Sequence, residues 1–247
     1  MAQALTGENV PVAEYVRGDF KIVSHLAHGW EMHSAVLLSP SEERMAVREP
    51  VQAVPNSLAK RLGALRALLV PYIACLDSGD VVCFSKLRGQ THTAAWFETE
   101  TRTNIILACR ELDPHDTGFE FLASIAELAR PRLTAEEVEQ YSQLVRSELE
   151  QDIPGEMDKE TLAAKQSLLT KRTSWRHEPE KFDQYRDLSL AGTLAEYMHG
   201  LWHDVQIQTG PEHLPLPQLR QRLQWMAKTF PPNPGYEVFS KEIEQLG

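Results

Sequence analysis

The sequence predicts an α+β protein, with a small β-rich N-terminal lobe that holds one helix and a larger C-terminal helical lobe. Up to about residue 90, short β-branched and aromatic stretches alternate with turn-forming clusters. Beyond it, apolar residues recur at steps of three and four, the spacing of one helix face. The composition agrees: 247 residues, 42% hydrophobic and 24% charged, make a globular chain long enough for one large domain or two lobes. The lobes are accordingly drawn as residues 1–88 and 89–247.

In the first lobe, residues 20–26 and 33–38 read as strands around a turn at Gly29, with residues 43–49 as a third strand after "SPSE". Leu58, Leu62, Leu65 and Leu69 stand at helical spacing, so residues 57–69 read as a helix capped by Asn56 or Ser57 and ended by Pro71. Residues 72–76 and 81–84 flank "DSGD" as a hairpin. In the second lobe, residues 93–112 and 119–129 read as helices. Thr134 and Glu137 form a capping box for a helix reaching about residue 150. Further helices are expected over 159–171, 188–205 and 218–230, with a short last one near 237–246.

Several function classes are excluded by composition. A net charge of −10 does not suit broad nucleic-acid binding, which needs a basic surface to release phosphate counterions. No apolar run approaches the roughly 18 residues of a membrane span, and residues 1–10 lack the basic-then-apolar pattern of a secretory signal. The three cysteines, Cys75, Cys83 and Cys109, are odd in number and have no metal-like spacing, which suits a reducing cytoplasm. The expected partner is another protein, with neither nucleic acid nor membrane.

The order of elements in the first lobe resembles the small lobe of the protein kinase fold. "FKIVSHLAHGWEMHSAVLL" is similar to the two strands around a kinase glycine-rich loop, and "MAVRE" to the Ala-x-Lys strand. "LAKRLGALRALLVPYIACLDSGD" resembles the following helix and its exit, and "VVCFSKLRGQTHTAAWF" the last strand, hinge and start of the large lobe. At the far end, "DLSLAGTLAEYMHG" resembles the large-lobe helix that opens with Asp, and "LRQRLQWMAKTFPPNPGYEVFSKEIEQL" the closing helices. The resemblance covers both ends of the chain and not its middle.

The departures bear on chemistry. Kinase catalysis is mainly positioning and charge neutralisation around phosphates and magnesium. Of the loop glycines only Gly29 remains, with Ala27 and Met32 at the nearest equivalent places. The phosphate-binding lysine position carries Arg48, and its glutamate partner falls near Arg61, a like charge. No His-Arg-Asp or Asp-Phe-Gly string exists; Asp152, in "DIPG", stands roughly where the magnesium aspartate is needed. The resemblance thus implies a degenerate, pseudokinase-like chain with no catalytic residue and no cofactor, acting as a regulatory or scaffolding module. The alternative is an atypical phosphotransferase binding ATP with magnesium through Gly29, Arg48 and Asp152.

A second alternative is a metal-binding helical protein. In "EYMHGLWHDV", Glu196, His199 and His203 share one helix face, opposite a stripe of Leu190, Leu194, Tyr197, Met198, Leu201 and Val205. Imidazoles four apart with a glutamate one turn earlier can ligate zinc, given further ligands from elsewhere. The plainer reading is a solvated or partner-facing helix side. His203–Asp204 is also the dipeptide of metal phosphohydrolases, with His177 as an earlier ligand, but no aspartate follows Asp204. His25 and His33 are expected opposite each other across the Gly29 turn. Trp175, Trp202 and Trp225 are expected as apolar anchors.

Overall fold

The computed structural model describes residues 9–87, 91–169, 174–203, 205 and 210–238. The chain is mixed α+β, with strands in its first part and helices in its second. It divides into two compact units, Met1–Ser124 and Ile125–Gly247, and the division falls inside one helix.

The first unit runs β1 (Val10–Pro11), α1 (Val12–Tyr15), β2 (Ser24–His25), a 3₁₀ turn at Ala27–Gly29, and β3 (Glu31–Ser34). A helical stretch follows, made of α2 (Pro40–Glu43), a π-turn at Arg44–Arg48 and α3 (Glu49–Ala53); then come α4 (Asn56–Leu62), β4 (Leu65–Val70) and β5 (Tyr72–Leu76). β6 (Gly79–Cys83), β7 (Thr91–His92), β8 (Ala94–Glu98) and β9 (Thr103–Ala108) complete the strands. They form two sheets, one of four strands in the order β1-β6-β5-β7 and one of five in the order β2-β3-β4-β9-β8. β3, β4 and β9 run parallel to one another; every other pairing is antiparallel.

β4 and β9 are the centre of the larger sheet, and β9 is buried at every position. Alternation divides their side chains. Leu68, Val70, Ile106 and Ala108 join Val10, Tyr15, Ile73 and Val82 in a core shared by the two sheets. Ala67, Leu69, Ile105 and Leu107 fall on the opposite face by the same alternation, and all are fully buried.

Several local expectations are overturned here. Residues 43–49 are helical, not a strand, because "SPSE" is a capping box. The Ser39 side chain accepts from the Glu42 N–H, the Glu42 carboxylate accepts from the Ser39 N–H, and Pro40 sits in the first turn. The helix expected over 57–69 stops at Leu62, where Gly63 turns to φ +73°, and the rest of that leucine series becomes β4. Residues 93–112 form β8 and β9 rather than a helix. The strands around Gly29 are shorter than expected, and their register pairs His25 with Glu31, not with His33. The β5–β6 hairpin forms as read, with Gly79 at φ +110° beside its turn.

The second unit is helical: α5 (Pro114–Ala129) leads into it, followed by α6 (Ala135–Glu150), α7 (Lys159–Leu168), α8 (Pro179–Trp202) and α9 (Leu216–Thr229). The Thr134/Glu137 capping box on α6 is present in both directions. α8 is longer than expected at its start and is buried on nearly every side from Ser189 to Leu201, including Thr193, His199 and Gly200. A helix buried all round is a central packing element, not a surface helix. Of the last expected helix, residues 239–246 lie outside the described residues.

Candidate functional site

The residues likened to a nucleotide site have structural partners. Arg48 reaches out of the π-turn, donating from Nε to Glu43 Oε1 at 2.5 Å and from a terminal nitrogen to the His25 carbonyl at 3.1 Å. It thereby ties the helical stretch to the hairpin that carries Gly29. Gly29 itself has φ +73°, and no atom lies within 4 Å of where its Cβ would be, so the backbone angle is what calls for glycine there. Asp152 belongs to the helical unit and has φ +53°. The N–H of Ile153 donates to the Glu148 carbonyl and that of Asp152 to the Leu149 carbonyl. Those two bonds make a Schellman ending of α6, with Asp152 in the left-handed position usually held by glycine.

On α8, Glu196 and His199 lie together, Oε2 to Nδ1 at 3.7 Å, while the His203 ring is 5.9 Å from the His199 ring, centroid to centroid. His199 is buried, so this is not the solvated face that the spacing alone implied. Asp204 lies outside the described residues. Two other groups among the described residues bring three ligand atoms within 4.8 Å of one another: Cys75, Asp80 and His92, and Asp113, His115 and Asp116. The second group is explained by the start of α5, where the Asp113 carboxylate caps the Asp116 N–H at 2.8 Å.

The helical unit has a polar centre that the sequence did not reveal. Arg222 on α9 is fully buried and grips two carboxylates. Its Nε donates to Glu148 Oε1 at 3.0 Å, and its terminal nitrogens donate to Glu156 at 2.8 and 3.0 Å. Lys165 donates to Glu156 Oε1 at 3.1 Å and to the Gly155 carbonyl at 2.9 Å, and the Tyr185 hydroxyl donates to the same Oε1 at 2.6 Å. Burial alone pushes the Glu156 carboxyl up. The adjacent Arg222 charge and hydrogen bonds, with Lys165 and Tyr185, outweigh it and hold the group at about 2. Beside this cluster a cleft of about 450 Å³ is lined by Pro154, Gly155, Leu162, Lys165 and Pro211, among others. The charges themselves point inward and satisfy one another, so the cluster is a clamp between helices rather than a reactive centre.

The first unit also presents an open strand edge among the described residues. β8 is the last strand of the larger sheet and, among the described residues, pairs only with β9. The Ala108 N–H donates to the Thr93 carbonyl and the Thr99 N–H to the Arg102 carbonyl. By antiparallel alternation Ala95 and Phe97 also bond inward, which leaves the backbone groups of Ala94 and Trp96 directed outward. Trp96, at the centre of this edge, is 45% exposed, and Glu98 and Glu100 are exposed at one end. The sequence expectation for residues 93–112 is a helix; "AAWFE" followed by "NIILA" across "TETRT" is the strand signal that the structure follows instead.

Comparison of the chain with models of protein families, with curated proteins and with solved structures finds no match to any of them.

Proposed function

We propose that the chain is a non-catalytic binding module, a pseudokinase-like regulator or scaffold, that takes up an extended segment of another protein along the free edge of β8. The observation that carries this reading is that edge: a five-residue strand that pairs, among the described residues, only with β9, with outward backbone groups at Ala94 and Trp96 and a half-exposed tryptophan at its centre. An added strand satisfies those groups, and an apolar side chain set against Trp96 supplies specificity. Glu98 and Glu100, on a chain of net charge −10, favour a segment with basic residues at that end. The structural engagements of Arg48 and Asp152 support a role that does not transfer phosphate.

The test compares the intact chain with Trp96→Lys, a substitution at a half-exposed edge position where lysine discourages strand addition. A partner captured by the parent chain is expected to be retained about tenfold less by the variant, with unchanged far-ultraviolet circular dichroism. Equal retention refutes the edge as the binding surface. A self-associated parent that Trp96→Lys makes monomeric would assign the edge to a second copy instead. Thermal unfolding in millimolar Mg-ATP is expected to show no shift; a magnesium-dependent rise would favour the phosphotransferase reading.

A further inference from the structure

The second sheet places three different metal-ligating side chains on one face by its register. Cys75 on β5 is directly opposite Asp80 on β6, and His92 on β7 is directly opposite Ile73 on β5, two residues from Cys75. Residues opposite each other in an antiparallel pair share a face, as do residues two apart on one strand. Cys75, Asp80 and His92 therefore converge where this face leaves the core. Deeper in, Ile73 and Val82 on the same face are fully buried, whereas Cys75 and His92 are exposed. One ligand atom from each lies within 4.8 Å of the others, and His92 Nε2 is 3.7 Å from Asp80 Oδ1. Tetrahedral zinc, with bonds of roughly 2.0–2.3 Å, sets its ligand atoms about 3.3–3.6 Å apart, so closing on a metal needs only small side-chain rotations.

We propose that Cys75, Asp80 and His92 bind one zinc-class divalent cation, with a fourth coordination position open to solvent. One thiolate, one imidazole and one carboxylate suit a borderline-soft ion, and oxygen-seeking magnesium or calcium much less. Three protein ligands with an open position is the arrangement of exchangeable or water-activating zinc sites, not of closed structural ones. Binding replaces the Cys75 S–H proton, which leaves to solvent as the metal–sulfur bond forms. Cys75 is the thiol suited to this. Burial pushes the Cys83 thiol up, and pushes that of Cys109 to about 12. The metal would also fasten β7, a two-residue strand, to the β5–β6 hairpin.

The experiment adds cobalt(II) chloride, then zinc chloride, to the full chain after treatment with a chelator. One equivalent of cobalt is expected to give the near-ultraviolet thiolate-to-cobalt charge-transfer band and the visible bands of tetrahedral cobalt, both erased by zinc. Cys75→Ser is expected to abolish the charge-transfer band, His92→Ala and Asp80→Asn to weaken binding about tenfold or more, and Cys109→Ser to leave it intact. Zinc is further expected to protect Cys75 of the parent chain from alkylation. Since the three side chains are exposed or half-exposed, the variants are expected to keep the parent circular dichroism. The proposal is overturned if the folded chain gives no thiolate band at one equivalent, or if the band survives in Cys75→Ser.

Discussion

Replacing Glu156 by glutamine in the buried clamp removes one of its two carboxylates while keeping the side chain's shape. In the native chain this carboxyl is held at about 2, against an ordinary 4.5. At about 1.36 kcal/mol per unit, its ionisation favours the folded state by roughly 3 kcal/mol at neutral pH. The folded value is the lower one, so this contribution is complete above the ordinary carboxyl range and is lost as pH falls toward 2. By pH 3 roughly three-fifths of it is gone. Glu156→Gln removes the term at every pH and leaves Arg222 and Lys165 facing Glu148 alone, a buried imbalance of one positive charge. The expected loss is about 3–5 kcal/mol at pH 7, with a flatter dependence of stability on acid. Urea unfolding at pH 7 and pH 3 measures both, and amide hydrogen exchange in α8 and α9 localises the effect to the helical unit. A loss below about 1 kcal/mol at pH 7, or an acid slope equal to the parent's, would refute the idea that this carboxylate is the electrostatic centre of the unit.

Two other substitutions test the backbone around the clamp. Gly155 has φ +70°, and an added Cβ would stand 2.1 Å from the His213 carbonyl oxygen, on the bridge that joins Glu156 to His213. Gly155→Ala is therefore expected to cost several kcal/mol in thermal or urea unfolding, because neither backbone strand can give way. Asp152→Gly relieves a left-handed residue at the end of α6 and is expected to stabilise the unit by about 0.5–1 kcal/mol by the same assays; a loss of stability would instead assign the Asp152 side chain a specific role.

The helices of the second unit were readable because their signals are local. The Thr134/Glu137 box fixed the start of α6, and the amphipathic spacing of α9 located it to within two residues of its observed start. The strands of the first unit are hard to see in the sequence for a physical reason. β4 and β9 are buried on both faces, so they appear as continuous apolar runs rather than alternating ones. Such a run cannot be told from a buried helix by periodicity, and the chance spacing of Leu58, Leu62, Leu65 and Leu69 favoured the wrong choice. "SPSE" has the composition of a turn cluster and the spacing of a capping box, and the structure uses the second. The clamp left no trace in the sequence: Glu148 and Arg222 are 74 residues apart and meet only through tertiary packing. The Cys75–Asp80 pairing follows from a turn tighter than the four-residue "DSGD" loop: with only Asp77 and Ser78 between the strands, Leu76 faces Gly79 and Cys75 faces Asp80.

The clamp also makes the packing of the earlier helices depend on α9. Glu148, Glu156 and Lys165 are made well before Arg222, and until α9 has emerged the two carboxylates have one ammonium between them. Packing α6, α7 and α8 without α9 would bury unbalanced charge. The α9 guanidinium balances that charge, so the tight fit of the earlier helices around their carboxylates depends on a residue far along the chain.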